Sequence, residues 1–133
     1  MTKTNMVKSI VFLLLCFGSL TLVQGHHNNR VLYDYDTIID IEGVVTEVWY
    51  VNPHSRVYVE VTNENGDMEL WECDLLDRGT LDRRGWKYND LVAGDYVVVS
   101  GRPARNGSFG LMLTKVFRPS DGWVGEGYRG NSG

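Results

Sequence analysis

Residues 56–75 read RVYVEVTNENGDMELWECDL, and this stretch decides the fold. From Arg56 to Thr62 apolar and polar residues alternate: Val57, Val59 and Val61 fall on one face, Arg56, Tyr58 and Glu60 on the other. A period of two marks a half-buried strand, because successive side chains point to opposite faces. Residues 63–67 are turn formers, with Gly66 able to take a positive φ, and residues 68–75 return as the second arm of a hairpin. One face of that hairpin is apolar and has to be covered by further strands.

Those strands lie on both sides. Residues 38–51 are rich in Val, Ile, Trp and Tyr, interrupted at Gly43 as a bulge or bend interrupts a strand, and ended by Asn52-Pro53. Residues 77–91 break the strand pattern and carry helix formers around Leu81 to Arg84, with Gly85 as the stop. Gly94-Asp95 turns the chain into a strand centred on Val97-Val98-Val99, and Arg105-Asn106-Gly107-Ser108 turns it back into Phe109 to Phe117. The predicted strands are 38–51, 55–62, 68–75, 95–102 and 109–117. Three strands, a short helix and two strands predict an all-β chain: a small five-stranded OB-fold-like barrel, with a small sandwich as the alternative. Beyond residue 118 the chain is Gly-rich and without periodicity, which predicts a flexible C-terminal tail over 119–133.

The 133 residues suffice for one domain and are too few for two independent cores. A formal charge of −4 argues against nucleic acid or anionic lipid as a partner. Residues 1–25 carry Lys3 and Lys8, then an apolar run from Ile10, then small residues near Val23-Gln24-Gly25, the pattern of a secretory signal peptide cleaved after Gly25. That predicts a periplasmic or secreted protein with no membrane span after cleavage. It also predicts an N-terminal segment over 26–37 and a barrel domain over 38–118. Lys3 and Lys8 leave with the signal, so thirteen basic residues become eleven against seventeen acidic ones, a net −6. Cys16 leaves too, and Cys73, in an apolar strand, is expected to be a buried thiol.

The three histidines supply the sharpest chemical hint. His26 becomes the first residue after cleavage, so its free amine and its ring can chelate one metal ion, with His27 beside it. His54, in the loop between the first two strands, is placed to add a further nitrogen, because that loop lines the binding face of an OB barrel. Three nitrogen ligands and an open position suit Cu²⁺ best, with zinc and nickel behind it. His26, His27 and His54 are therefore the candidate metal ligands, and copper the candidate cofactor. The opposing view treats the first two as solvated residues at a frayed terminus. Asn52, His54, Tyr50, Tyr58 and Trp86 are the candidate ligand-binding residues. Trp49 and Trp71 are expected as barrel core and cover. Glu72 and Asp74 share a strand face and form a weak acid–base pair. Arg83-Arg84 reads as solvated surface. No hydrolase, zinc-protease or phosphate-loop motif is present, and no catalytic residue is assigned.

Taken together, several elements resemble a family of small exported bacterial proteins of unknown function with a His-His mature N-terminus. They are His26-His27, Asn52-Pro53-His54, Trp71-x-x-Asp74-Leu75, Leu81-x-x-x-Gly85-Trp86, Gly94-Asp95-x-Val97 and Gly101-x-Pro103-Ala104-x-Asn106-Gly107. The resemblance runs from His26 to near residue 118 and implies a periplasmic location and a small β-barrel, with no activity. Asn28-Asn29, Tyr50 and Asp74 depart from its usual Ser-Phe, Trp and Glu. The leading expectation is an exported barrel that binds a metal ion or small ligand, copper first, at the face bearing His54. The rivals are a metal-free module binding an envelope protein or glycan through Tyr50, Tyr58 and Trp86, and a small copper redox enzyme.

Overall fold

The alternation over 56–62 is realised as a strand whose inner residues, Val57 and Val59, are wholly buried while Val61 packs against the core from its edge. The structure is a computed structural model and describes residues 29–129. A short helix α1 (Asn29–Leu32) precedes β1 (Ile39–Trp49), β2 (Arg56–Thr62) and β3 (Met68–Asp74). Helix α2 (Arg78–Arg83) follows, then β4 (Tyr96–Pro103), β5 (Gly110–Arg118) and β6 (Trp123–Glu126).

β1 pairs antiparallel with both β2 and β4, β2 with β3, and β4 with β5. The circuit closes where β3 meets β5 in parallel, Glu72 to Gly110, Cys73 to Leu111 and Asp74 to Met112. This is a closed five-stranded barrel with a short helix between its third and fourth strands, as the element order predicts. Valines and leucines from β1, β2, β4 and β5 fill it, with Cys73 from β3: Val45, Val57, Cys73, Val97, Leu111 and Val116 are at most 1% exposed. α2 adds Leu81 to the same core. Its start is set by Asp77, whose carboxylate accepts the Thr80 N–H at 2.9 Å.

Gly43 is neither the bulge nor the bend expected of it. A Cβ there would run into the Glu60 carbonyl of β2, so the residue is glycine because two backbones approach closely. The bulge lies further on, between Val45 and Glu47. It adds one residue to β1 and reverses the inside–outside order beyond it. Tyr50 is consequently buried and Trp49, expected in the core, is 40% exposed on the outer face. Trp71 is half-buried and packs against the core as expected.

The expectation of a loose tail over 119–133 is corrected for the described part of that segment. Residues 123–126 form β6, antiparallel to β5 with Lys115 opposite Glu126 and Phe117 opposite Val124. Trp123 meets Trp86 edge-on, centroids 5.0 Å apart, and the Trp86 indole N–H donates to the Glu126 carbonyl at 3.0 Å. Arg84, expected as solvated surface, donates to the Gly127 carbonyl.

Cys73 is a buried free thiol, as expected. Burial first, and then the Glu72 charge, pushes its pKa up to about 12. The thiolate needed for attack is therefore scarce at neutral pH. A thiol reagent such as Ellman's should leave Cys73 of the native protein unmodified over hours and label it at once in denaturant. Fast native labelling would contradict this burial.

Candidate functional site

Strand alternation alone would send Arg56, Asp74, Met112 and Arg102 outward, and they stand side by side across β2, β3, β5 and β4. Three of them are nevertheless buried: Asp74 is 8%, Arg102 4% and Met112 1% exposed. The cover comes from both ends of the described chain. Tyr35, from the segment after α1, hydrogen-bonds the Met112 sulfur at 3.5 Å and lies under the Arg102 guanidinium at 4.6 Å. Tyr33 pairs as a single bridge with Ala104. Burial pushes its hydroxyl pKa up to about 12, helped by the Asp74 and Glu72 charges, so the ring lies in the field of those carboxylates. Tyr128, just past β6, donates to Asp74 Oδ2 at 3.1 Å or to the Leu75 carbonyl at 3.2 Å.

His54 stands at the edge of this cover. Its Nδ1 is 3.6 Å from Asp74 Oδ1 and 3.3 Å from the Tyr128 hydroxyl oxygen, and half of its side chain is exposed. No described residue hydrogen-bonds its Nε2. The loop is shaped for this by two ties: Ser55 is buried and exchanges hydrogen bonds with Val51, and Asn52 Oδ1 accepts the Arg78 N–H at 3.1 Å. A half-exposed imidazole, backed on one nitrogen by a carboxylate and open on the other, is oriented to offer Nε2 to a ligand. A carboxylate behind a histidine is the usual outer shell of a metal-binding imidazole.

The structure brings His54 to Asp74, one of the two carboxylates noted in the sequence, and to Tyr128, which lies in the supposed tail. Tyr58 stays on the neighbouring outer face, its hydroxyl donating to Glu72 Oε2 at 3.3 Å and its ring 5.5 Å from Trp49. Glu72 is held by Arg56 at 3.1 Å. Two further candidates turn inward. Tyr50 is buried and donates to Asp82 at 2.8 Å, and Trp86 is buried against Trp123. Asn52 spends its side-chain oxygen on α2. His26 and His27 lie outside the described residues. Among the described residues, no three His, Cys, Asp or Glu side chains converge on one point.

Desolvation raises the Asp74 pKa, although His54, the Tyr128 hydroxyl and Arg56 all pull the other way. A carboxyl whose folded pKa is raised contributes stability below its unfolded pKa of about 3.9, and that contribution is lost as pH rises through the folded value. Asp74→Asn keeps an oxygen for Tyr128 and removes the buried charge. It should therefore be more stable than the natural protein at pH 7, with the difference shrinking towards pH 4. Urea melts at the two pH values check this, and equal melts at pH 7 would count against it.

These features define a class: a small closed β-barrel with a His–Asp–Tyr cluster beside the loop joining its first two strands. The chain belongs to a family of unknown function, DUF6152, whose family model matches residues 14–112. The match agrees with the resemblance seen in the sequence and takes in His54 and Asp74. β6 and Tyr128 lie beyond it. No curated protein matches the chain. Among the described residues, no helix is long and apolar enough to cross a membrane.

Proposed function

We propose that this protein is exported, loses residues 1–25, and binds a copper ion through His54 Nε2 together with the amine and ring of the new terminus at His26. The observation that carries the reading is the setting of His54: Nδ1 lies 3.6 Å from Asp74 and 3.3 Å from the Tyr128 hydroxyl, Nε2 has no partner among the described residues, and the ring is half-exposed. Chain length supports it. Six residues lie between His26 and Tyr33, whose hydroxyl lies in the field of Asp74. Four of those six form α1. Helical rise and extended reach together allow about 15 Å between Tyr33 and the histidine pair. Nitrogen donors with an open position rank Cu²⁺ above the other divalent ions. In this reading His27 is a supplementary ligand, and Asp74 orients His54 from behind.

The test is a Cu²⁺ titration of the purified mature protein at fixed neutral pH, followed by its visible and electron-paramagnetic spectra. His54→Ala should weaken binding about a hundredfold. A single glycine placed before His26 should do the same, since it removes the amine chelate and keeps every side chain. Asp74→Asn should cost about tenfold or more through loss of its grip on His54, while His27→Ala should cost less. Copper bound equally well by the extended protein and by His54→Ala would overturn the proposal.

A further inference from the structure

β3 is longer than the stretch of β5 that pairs with it. The Glu72 N–H donates to the Phe109 carbonyl at 2.9 Å, so the backbone groups of Glu72 face away from β2. Along a strand these directions repeat every second residue, so the N–H and C=O of Leu70 and Met68 face the same way. β5 begins only at Gly110, opposite Glu72, and no described strand lies beside Met68–Trp71 on that side. The side chains at this open edge are apolar and exposed, Met68 by 59% and Leu70 by 57%. Beside it runs a cleft of about 440 Å³ whose lining includes Leu70, Glu72, Leu32, Tyr33 and Phe109.

We infer that this edge is a docking site for an extended segment of another polypeptide, which adds as a strand beside Met68–Trp71. Unpaired edge groups supply the main-chain hydrogen bonds of such an addition, and alternate side chains supply its specificity. One apolar residue of the segment fits the cleft against Leu70, Leu32 and Phe109. Its neighbour, on the opposite face, meets Glu69. That carboxylate accepts from Asn63 and from the Trp71 indole, at 2.9 and 3.1 Å, and no cation is paired with it among the described residues. The neighbour is therefore Lys or Arg. Glu69 also argues against a second copy of this chain: antiparallel pairing of residues 68–70 with themselves would set Glu69 opposite Glu69, and like charges directly opposite destabilise a pair. The occupant is thus a partner segment in which apolar and basic residues alternate.

The test uses the metal-free mature protein and two blocked eight-residue peptides, one alternating valine with lysine and one alternating valine with glutamate. In the free protein the Leu70 amide should exchange hydrogen quickly while its neighbour Trp71, bonded into β2, exchanges slowly. The valine–lysine peptide should slow Leu70 at least tenfold, and the valine–glutamate peptide should leave it unchanged. Leu70→Asp should weaken peptide binding at least tenfold. Glu69→Lys, which leaves the apolar wall intact, should shift the preference to the valine–glutamate peptide. The inference is overturned if Leu70 is already slow in the free monomer, or if its protection rises with protein concentration alone. It is equally overturned if the two peptides bind alike, or if neither alters the Leu70 amide.

Discussion

Val59→Asp should destabilise the protein by roughly 4 kcal/mol, enough to unfold much of a domain this size. Val59 is fully buried, opposite Val45 on one side and Trp71 on the other. A carboxylate there meets only hydrocarbon and finds no partner for its charge. Burial raises such a carboxyl's pKa, so the defect should be greatest at neutral pH and lessen as pH falls and the group takes up a proton. The control is Thr62→Asp, on the exposed face of the same strand, which should move the unfolding free energy by no more than about 0.5 kcal/mol. Slipping the strand by one residue exchanges its two faces, so the pair of urea melts tests the register itself. Equal melts would show it to be wrong.

That register was readable because β2 has no irregularity: each valine of 56–62 reports the same face. The hairpin turn and a short helix ending before Gly85 follow from similar local signals, and the barrel from the order of the elements. Where reading stopped short, a non-local event intervened. In β1 the bulge between Val45 and Glu47 inverts parity, and nothing in Thr46-Glu47-Val48 marks it. Strict alternation from Ile41 therefore assigns Trp49 to the core and Tyr50 to the surface, the reverse of what forms. Asp74 looks like an ordinary outward residue of β3. Tyr128 reaches it, and Tyr35 covers its neighbour Met112, from opposite ends of the chain, and no pattern within 68–75 foretells them. The glycines past residue 119 misled for another reason. A Cβ at Gly125 would strike the Trp86 ring, and one at Gly127 the Leu113 carbonyl, so both stand where the chain presses against the barrel. In sequence, such glycines look the same as those of a flexible tail.

Cutting the chain after Pro119 should therefore cost stability as well as the candidate site. The loss is set by what β6 covers. Trp86, 5% exposed, would lose the Glu126 carbonyl that accepts its indole N–H and the Trp123 ring that meets it edge-on. Arg118 would lose the carboxylate of Asp121, bound at 2.9 Å, though it would keep Asp95 at 2.7 Å. Uncovering a large buried aromatic and orphaning its donor together amount to about 3 kcal/mol or more. Tyr128→Phe separates this structural loss from the effect on His54. It keeps the ring and should cost only about 1 kcal/mol, the worth of one hydrogen bond. If the single proton of the Tyr128 hydroxyl goes to Asp74 or to the Leu75 carbonyl, the hydroxyl accepts from His54; Nδ1 then carries the imidazole proton, and the lone pair is left on Nε2, the nitrogen a metal would take. Nitrogen-15 spectra of the metal-free protein should show His54 as the Nδ1–H tautomer, and in Tyr128→Phe a mixture of the two. Copper affinity should fall several-fold in that variant with its melting curve nearly unchanged. An Nε2–H tautomer in the natural protein would remove the role given to Tyr128, whatever the copper titration showed.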